Sequence, residues 1–143
     1  MREILFRGKR CDNGEWVQGF YVRADYHWHK NGIHKDWIAL GATAKGGWFA
    51  MHNKNAVKAE TVGQYTVLTD KNGKKIFEGD IIEWFLPEVS EYPSLAYIEY
   101  DESSFAWRVC WKKYDPDWLE GLNREYISVI GNIHDNPELL KNP

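Results

Sequence analysis

Asn-Gly occurs three times in this chain, at Asn13-Gly14, Asn31-Gly32 and Asn72-Gly73, each time between runs rich in aromatic and β-branched residues. Asn and Gly tolerate positive φ, which a two-residue type I′ hairpin turn requires at both central positions. Gly46-Gly47 adds a weaker fourth turn signal. A chain punctuated this often has little room for long helices, and its apolar residues alternate instead of following a helical period. Strands are expected over residues 3–10, 16–23, 26–30, 33–37, 48–52, 64–69, 75–77, 81–85, 95–100, 105–112 and 126–133. The implied class is mainly β, antiparallel and hairpin-rich. The cleanest alternation puts Phe105, Trp107, Val109 and Trp111 on one face and Ala106, Arg108, Cys110 and Lys112 on the other. That pattern fits a half-buried antiparallel strand. A two-residue turn at Asn72-Gly73 would set Leu68 opposite Phe77 and Thr69 opposite Ile76. Gly79 is expected at positive φ, and Gly131 is expected at a bulge or close backbone approach. Helix is confined to a short terminal piece. There Asn136 offers an N-cap and Pro137 a first helical residue, and another single turn is expected near Asp115-Pro116.

A short chain of 143 residues needs a dense core, and 8 Trp, 8 Tyr and 6 Phe supply it. The net charge of −3 hides an asymmetry. Residues 1–62 carry 10 Lys+Arg against 6 Asp+Glu, or +4; residues 63–143 carry 8 against 15, or −7. Three readings fit: uneven solvated charge, a nucleic-acid face in the first half, or head-to-tail contact between copies of the chain. The charge change coincides with an aromatic-free stretch at 53–60, so the expected division is an N-terminal hairpin module over 1–60 and a C-terminal module over 61–143. Cys11 and Cys110 form no CxxC pair and read as small buried residues of a reducing compartment. No apolar run approaches the ~20 residues of a membrane helix. Ile4-Leu5-Phe6 is too short for a signal-peptide core. The expected location is the cytoplasm, with no membrane partner.

Two clusters carry candidate chemistry. Arg2, Arg7, Lys9, Arg10 and Arg23 lie on or near the first hairpin, interleaved with Trp16, Phe20 and Tyr21. Basic strands with aromatic side chains can bind single-stranded nucleic acid through phosphate attraction and base stacking. The alternative is an ordinary amphipathic hairpin whose aromatics are core, and alternation sends Arg10 to the opposite face from Arg7 and Lys9. The second cluster surrounds Asn31-Gly32. With a two-residue turn there, His27, His29, His34 and Asp36 fall on one face, a set that could hold zinc. A one-residue change in that loop scatters them, and the alternative is a solvated polar face. No phosphate loop, HExxH, GxSxG or Rossmann fingerprint is present. Catalytic residues and a cofactor are therefore not expected.

Two longer blocks have a familiar pattern. One is Glu60-Thr61-Val62-Gly63-Gln64-Tyr65-Thr66, continuing through Asp70-Lys71-Asn72-Gly73-Lys74-Lys75-Ile76-Phe77-Glu78-Gly79-Asp80-Ile81-Ile82. The other is Val129-Ile130-Gly131-Asn132-Ile133-His134-Asp135-Asn136-Pro137-Glu138-Leu139-Leu140. With the opening Arg2-Glu3-Ile4-Leu5-Phe6-Arg7, they resemble the YopX family of phages and prophages. Val67 and Thr69 stand where relatives often have Gly and Lys, and His134 stands where Tyr is common. The region 26–53 matches no family motif. The resemblance implies a β-rich N-terminal part, an SH3-like C-terminal barrel, a phage association and self-association, so a homo-oligomer engaging a host or phage protein is expected. It implies no catalytic residue.

Overall fold

The computed structural model describes residues 1–23, 36–39 and 56–141. It divides into two compact units, Met1–Tyr65 and Thr66–Pro143. The fold is mainly β, with two antiparallel five-stranded sheets. The first has the order β3-β2-β1-β4-β5, built from β1 (Phe6–Lys9), β2 (Trp16–Arg23), β3 (Asp36–Ala39), β4 (Gly63–Thr69) and β5 (Lys75–Phe77). The second has the order β10-β6-β7-β8-β9, built from β6 (Asp80–Trp84), β7 (Ser94–Asp101), β8 (Ala106–Trp111), β9 (Asp117–Trp118) and β10 (Ile127–Asn132). Regular helix among the described residues is limited to short 3-10 turns, including Leu119–Gly121 and Pro137–Leu140. Among those residues no helix is long and apolar enough to cross a membrane.

In the first unit, β1 pairs with β2 from Phe6↔Gly19 to Lys9↔Trp16, and β2 pairs with β3 from Phe20↔Ala39 to Arg23↔Asp36. Among its described residues, Trp37, Ile38, Ala56, Val57 and Tyr65 are the buried hydrophobic ones. The segment before Phe6 is not in a strand, so the expected strand over 3–10 is shorter at its start. The start of β4 joins β1 through Phe6↔Gln64.

The second unit is organised by alternation. β7 and β8 pair through Ala96↔Trp111, Ile98↔Val109 and Tyr100↔Trp107 on one face, and through Tyr97↔Cys110 and Glu99↔Arg108 on the other. The first face builds the core: Ile76, Ile82, Ala96, Ile98, Val109, Leu119 and Ile127 are buried, with Leu68, Trp84, Trp107, Trp111, Leu122 and Val129 packed against them. Each fully buried aliphatic side chain contributes about 1.5–3 kcal/mol of transfer free energy. Phe105 departs from the expected face. It lies just before β8, is 83% exposed, and has φ 54°. Alternation predicts facing only inside a strand, and the left-handed backbone at Phe105 ends it there.

The Asn-Gly turns also differ from expectation. Only the Gly of each described pair takes positive φ, Gly14 at 72° and Gly73 at 78°, so neither turn is type I′. The first loop spans four residues, closed by Arg10 N–H to Glu15 O (2.9 Å) and Gly14 N–H to Arg10 O (3.0 Å). The second spans three. Asp70 N–H donates to Lys74 O (2.8 Å) and Gly73 N–H to Asp70 O (3.0 Å), a type I turn followed by a left-handed Gly. The tip therefore closes one residue out of step with the register that would oppose Leu68 to Phe77. The cause is Asp70, whose carboxylate accepts from the N–H groups of Asn72 and Lys74 (both 2.9 Å) and starts the turn one residue early.

The two expectations for single glycines hold. Gly79 has φ 85°. At Gly131 the β10–β6 register shifts, and a Cβ there would lie 2.5 Å from Asn136 Oδ1. That same oxygen accepts from Asn132 N–H (3.3 Å). Asn136 is therefore committed to the bulge and makes no side-chain cap on the terminal 3-10 turn.

Candidate binding site

The core of the second unit opens at one end of the β7–β8 hairpin. Trp84, Ser94 and Trp111 lie on the core-facing side of β6, β7 and β8, and Trp84 pairs with Ser94 in register. Tyr126 packs edge-on against Trp84, with ring centroids 6.1 Å apart. Beyond these strand ends the chain leaves the sheet in three connections, which contribute Val89 and Ser90, Tyr114, and Leu122. Together they enclose a groove of about 390 Å³, with Asp117 at its wall. Asp117 is not a free carboxylate, because Trp111 Nε1–H donates to it at 2.7 Å. That bond ties the Trp111 indole to the cleft wall. A second recess of about 320 Å³ adjoins the groove through Ser90, Ser94 and Tyr114, and Tyr92, Lys112 and Lys113 line it. Its wall on the 90–93 loop is set by Ser90, whose hydroxyl donates to Tyr92 O at 2.8 Å. The site is a partly open aromatic cleft with a cationic rim, suited to a side chain or short segment carrying apolar and acidic groups.

The five basic residues predicted from sequence do not converge. Arg7 and Lys9 share a face of β1, and both flank Trp16: Arg7 Cζ is 4.8 Å and Lys9 Nζ 5.8 Å from its ring centre. Gln18 and Phe20 follow Trp16 along the same face of β2. Arg10 forms ion pairs with Asp12 (2.5 Å) and Glu15 (3.9 Å). The Arg10 hydrogen bond also holds the Asp12 carboxyl below its ordinary range. Arg23 Nε lies 3.9 Å from Asp36, and Arg2 is exposed ahead of β1. The structure brings together two of the five.

Of the candidate metal set, His27, His29 and His34 lie outside the described residues. Asp36 is buried and accepts a hydrogen bond from the Tyr21 hydroxyl. Burial, then that bond to Asp36, pushes the Tyr21 hydroxyl above its usual pKa. Among the described residues no three His, Cys, Asp or Glu side chains meet in a metal-ligating group.

The opposite face of β7 and β8, which also carries the buried Cys110, holds a separate polar cluster. Arg108 Nη2 donates to Glu99 at 3.0 Å, and the Cys110 thiol donates to the same Glu99 oxygen at 3.2 Å. The Arg108 bond chiefly, then the Cys110 bond, holds Glu99 low. Burial, then the Glu99 bond, pushes the Cys110 thiol up. Burial raises the Cys11 thiol as well. Both cysteines are free, and a raised pKa keeps them protonated and poorly nucleophilic near neutrality. The cleft is not legible as a motif, because three separate connections build it. The available signal is the aromatics in turn-rich segments, Tyr92 and Tyr114.

The family model described as YopX protein matches residues 5–141. The chain is also similar to the crystal structure of protein EF1440 from Enterococcus faecalis, with 26% identity and a TM-score of 0.53 over 99% of this chain and 100% of that one. No curated protein matches it.

Proposed function

This chain belongs to the YopX family, and on that basis we propose a non-enzymatic, self-associating binding protein. It is read as an accessory protein of phage or prophage genomes that acts in the host cytoplasm on a host or phage protein, with the second module as an SH3-like barrel. The observation that carries this reading is the surface of the second unit. Val89, Tyr92, Phe105 and Tyr114 are 68%, 70%, 83% and 66% exposed, around and beyond an aromatic cleft. Large apolar side chains exposed beside a cleft are a feature of interaction surfaces. Light scattering across a concentration series tests the self-association: mass should rise above that of one chain, and a strict monomer throughout overturns it.

A second reading is supported by Arg7 and Lys9 beside Trp16, with Phe20 half exposed on the same face. That arrangement suits single-stranded nucleic acid. Fluorescence anisotropy with a single-stranded oligonucleotide should show binding that weakens as salt rises. No binding at low salt removes this reading.

A further inference from the structure

The β7–β8 hairpin carries a knob at one end and a cleft at the other. The knob is Phe105, 83% exposed and held at φ 54°, a conformation that is costly for a bulky side chain. The tip that presents it is ordered: Asp101 pairs with Ala106 across the hairpin, and the Asp101 carboxylate accepts from the Ser103 hydroxyl at 2.9 Å. The cleft lies at the opposite strand ends, between Trp84, Trp111 and Leu122. β7 spans eight residues, Ser94–Asp101, which at ~3.3 Å per residue separates the two features by roughly 23 Å. A paired hairpin cannot fold back to place its own Phe105 in its own cleft.

An acidic tip at one end is matched by a recess at the other whose lining charges are cationic, while Glu88, Glu91, Asp115 and Glu120 lie on the surrounding loops outside that lining. The tip carries Asp101 and Glu102. The recess beside the cleft is lined by Lys112 and Lys113 and by no carboxylate, while Asp117 in the cleft wall is held by Trp111. We infer that Phe105 of one copy inserts between Trp84, Trp111 and Leu122 of a second copy, with Glu102 beside Lys112 and Lys113. This rests on the self-associating reading above and specifies its contact. Knob and cleft are different surfaces, so the contact is heterologous, and repetition of it builds a ring or a filament rather than a twofold dimer.

Sedimentation of the full chain tests the inference through two kinds of variant. Phe105→Gly should weaken association by at least about 30-fold, as loss of a central aromatic anchor does. At a concentration where wild type is monomeric, its melting temperature should rise, because the left-handed strain is relieved without loss of association-linked stability. Glu102→Lys and Lys113→Glu should each weaken association alone, since each variant then carries a tip and a rim that no longer attract. Mixed together, they should recover association with the two variants alternating, because at every contact residue 102 of one variant now meets a residue 113 of opposite charge on the other. If wild type is a strict monomer, the self-associating reading fails and this contact with it. If wild type associates and Phe105→Gly or the charge variants associate equally well, this contact alone is overturned.

Discussion

Two hairpin tips of the second unit are built on one plan and end differently. At the first, Asp70 opens the loop and Gly73 closes it at φ 78°. At the second, Asp101 opens the loop and Phe105 closes it at φ 54°. Both acids accept hydrogen bonds from the residue two positions on or its neighbours. Asp70 is buried and reaches further, accepting from Val129 N–H of β10 at 3.0 Å, so it ties its hairpin to the second sheet's edge. Asp101 serves only its own loop among the bonds described. The first tip follows local conformational preference and serves the fold. The second opposes it by placing a large apolar ring in water at a position that suits Gly. Local preference overridden without a folding gain points to a contact made elsewhere.

The contrast between the tips breaks most sharply at Asp70. Asp70→Ala leaves three N–H groups without their acceptor, and should cost about 3 kcal/mol in denaturant unfolding at neutral pH. Burial raises the Asp70 pKa, but the N–H donors of Val129, Lys74 and Asn72 outweigh it and hold the carboxyl below its ordinary value. A depressed folded pKa gives stability that is complete above the unfolded value of about 3.9 and is lost as pH falls through the folded value. The gap between wild type and Asp70→Asn should therefore be constant above about pH 5 and narrow below about pH 4. A gap that does not change with acid would mean the carboxylate charge contributes nothing. Next in size, Gly73→Ala should cost about 1–2 kcal/mol, because an L side chain at that φ is strained. Phe105→Gly carries the opposite sign, which is the contrast between the tips in one pair of melting curves.

The smallest effect sharpens the rule at a third site. Val67 has φ 73°, a genuine outlier for a β-branched residue, and it is 38% exposed. Thr66 Oγ1 bridges the irregularity by donating to Ile76 O at 2.8 Å. Val67→Gly should stabilise the chain by about 1 kcal/mol in thermal or denaturant unfolding. Unchanged or lower stability would show that burial of the Val67 side chain outweighs its backbone strain.

Val67 also marks how far the sequence can be read. It sits inside a strand pattern, and nothing in the local residues says that the backbone there takes a conformation that suits Gly. Strand positions are legible wherever alternation is strict: Trp107, Val109 and Trp111 face the core as their spacing requires. Where strands end, spacing loses its meaning, and Phe105 leaves the expected face for that reason. Asn72-Gly73 marks a hairpin but not its length, because the Asp70 carboxylate chooses between a two- and a three-residue loop. The cleft depends on three connections meeting, which no periodicity encodes. Arg10 reads as a phosphate contact in the sequence, and in the fold Asp12 and Glu15 occupy it.

The two native thiols have a practical consequence. Cys11 and Cys110 are both kept protonated, and Cys110 is buried. A cysteine introduced at an exposed position such as Glu102 or Lys113 would meet neither constraint and would react with maleimides first. With Cys110 buried and Cys11 part-buried, fluorophores or spin labels can be set at each end of the same hairpin, with Cys11→Ser as the background, and read as a molecular ruler.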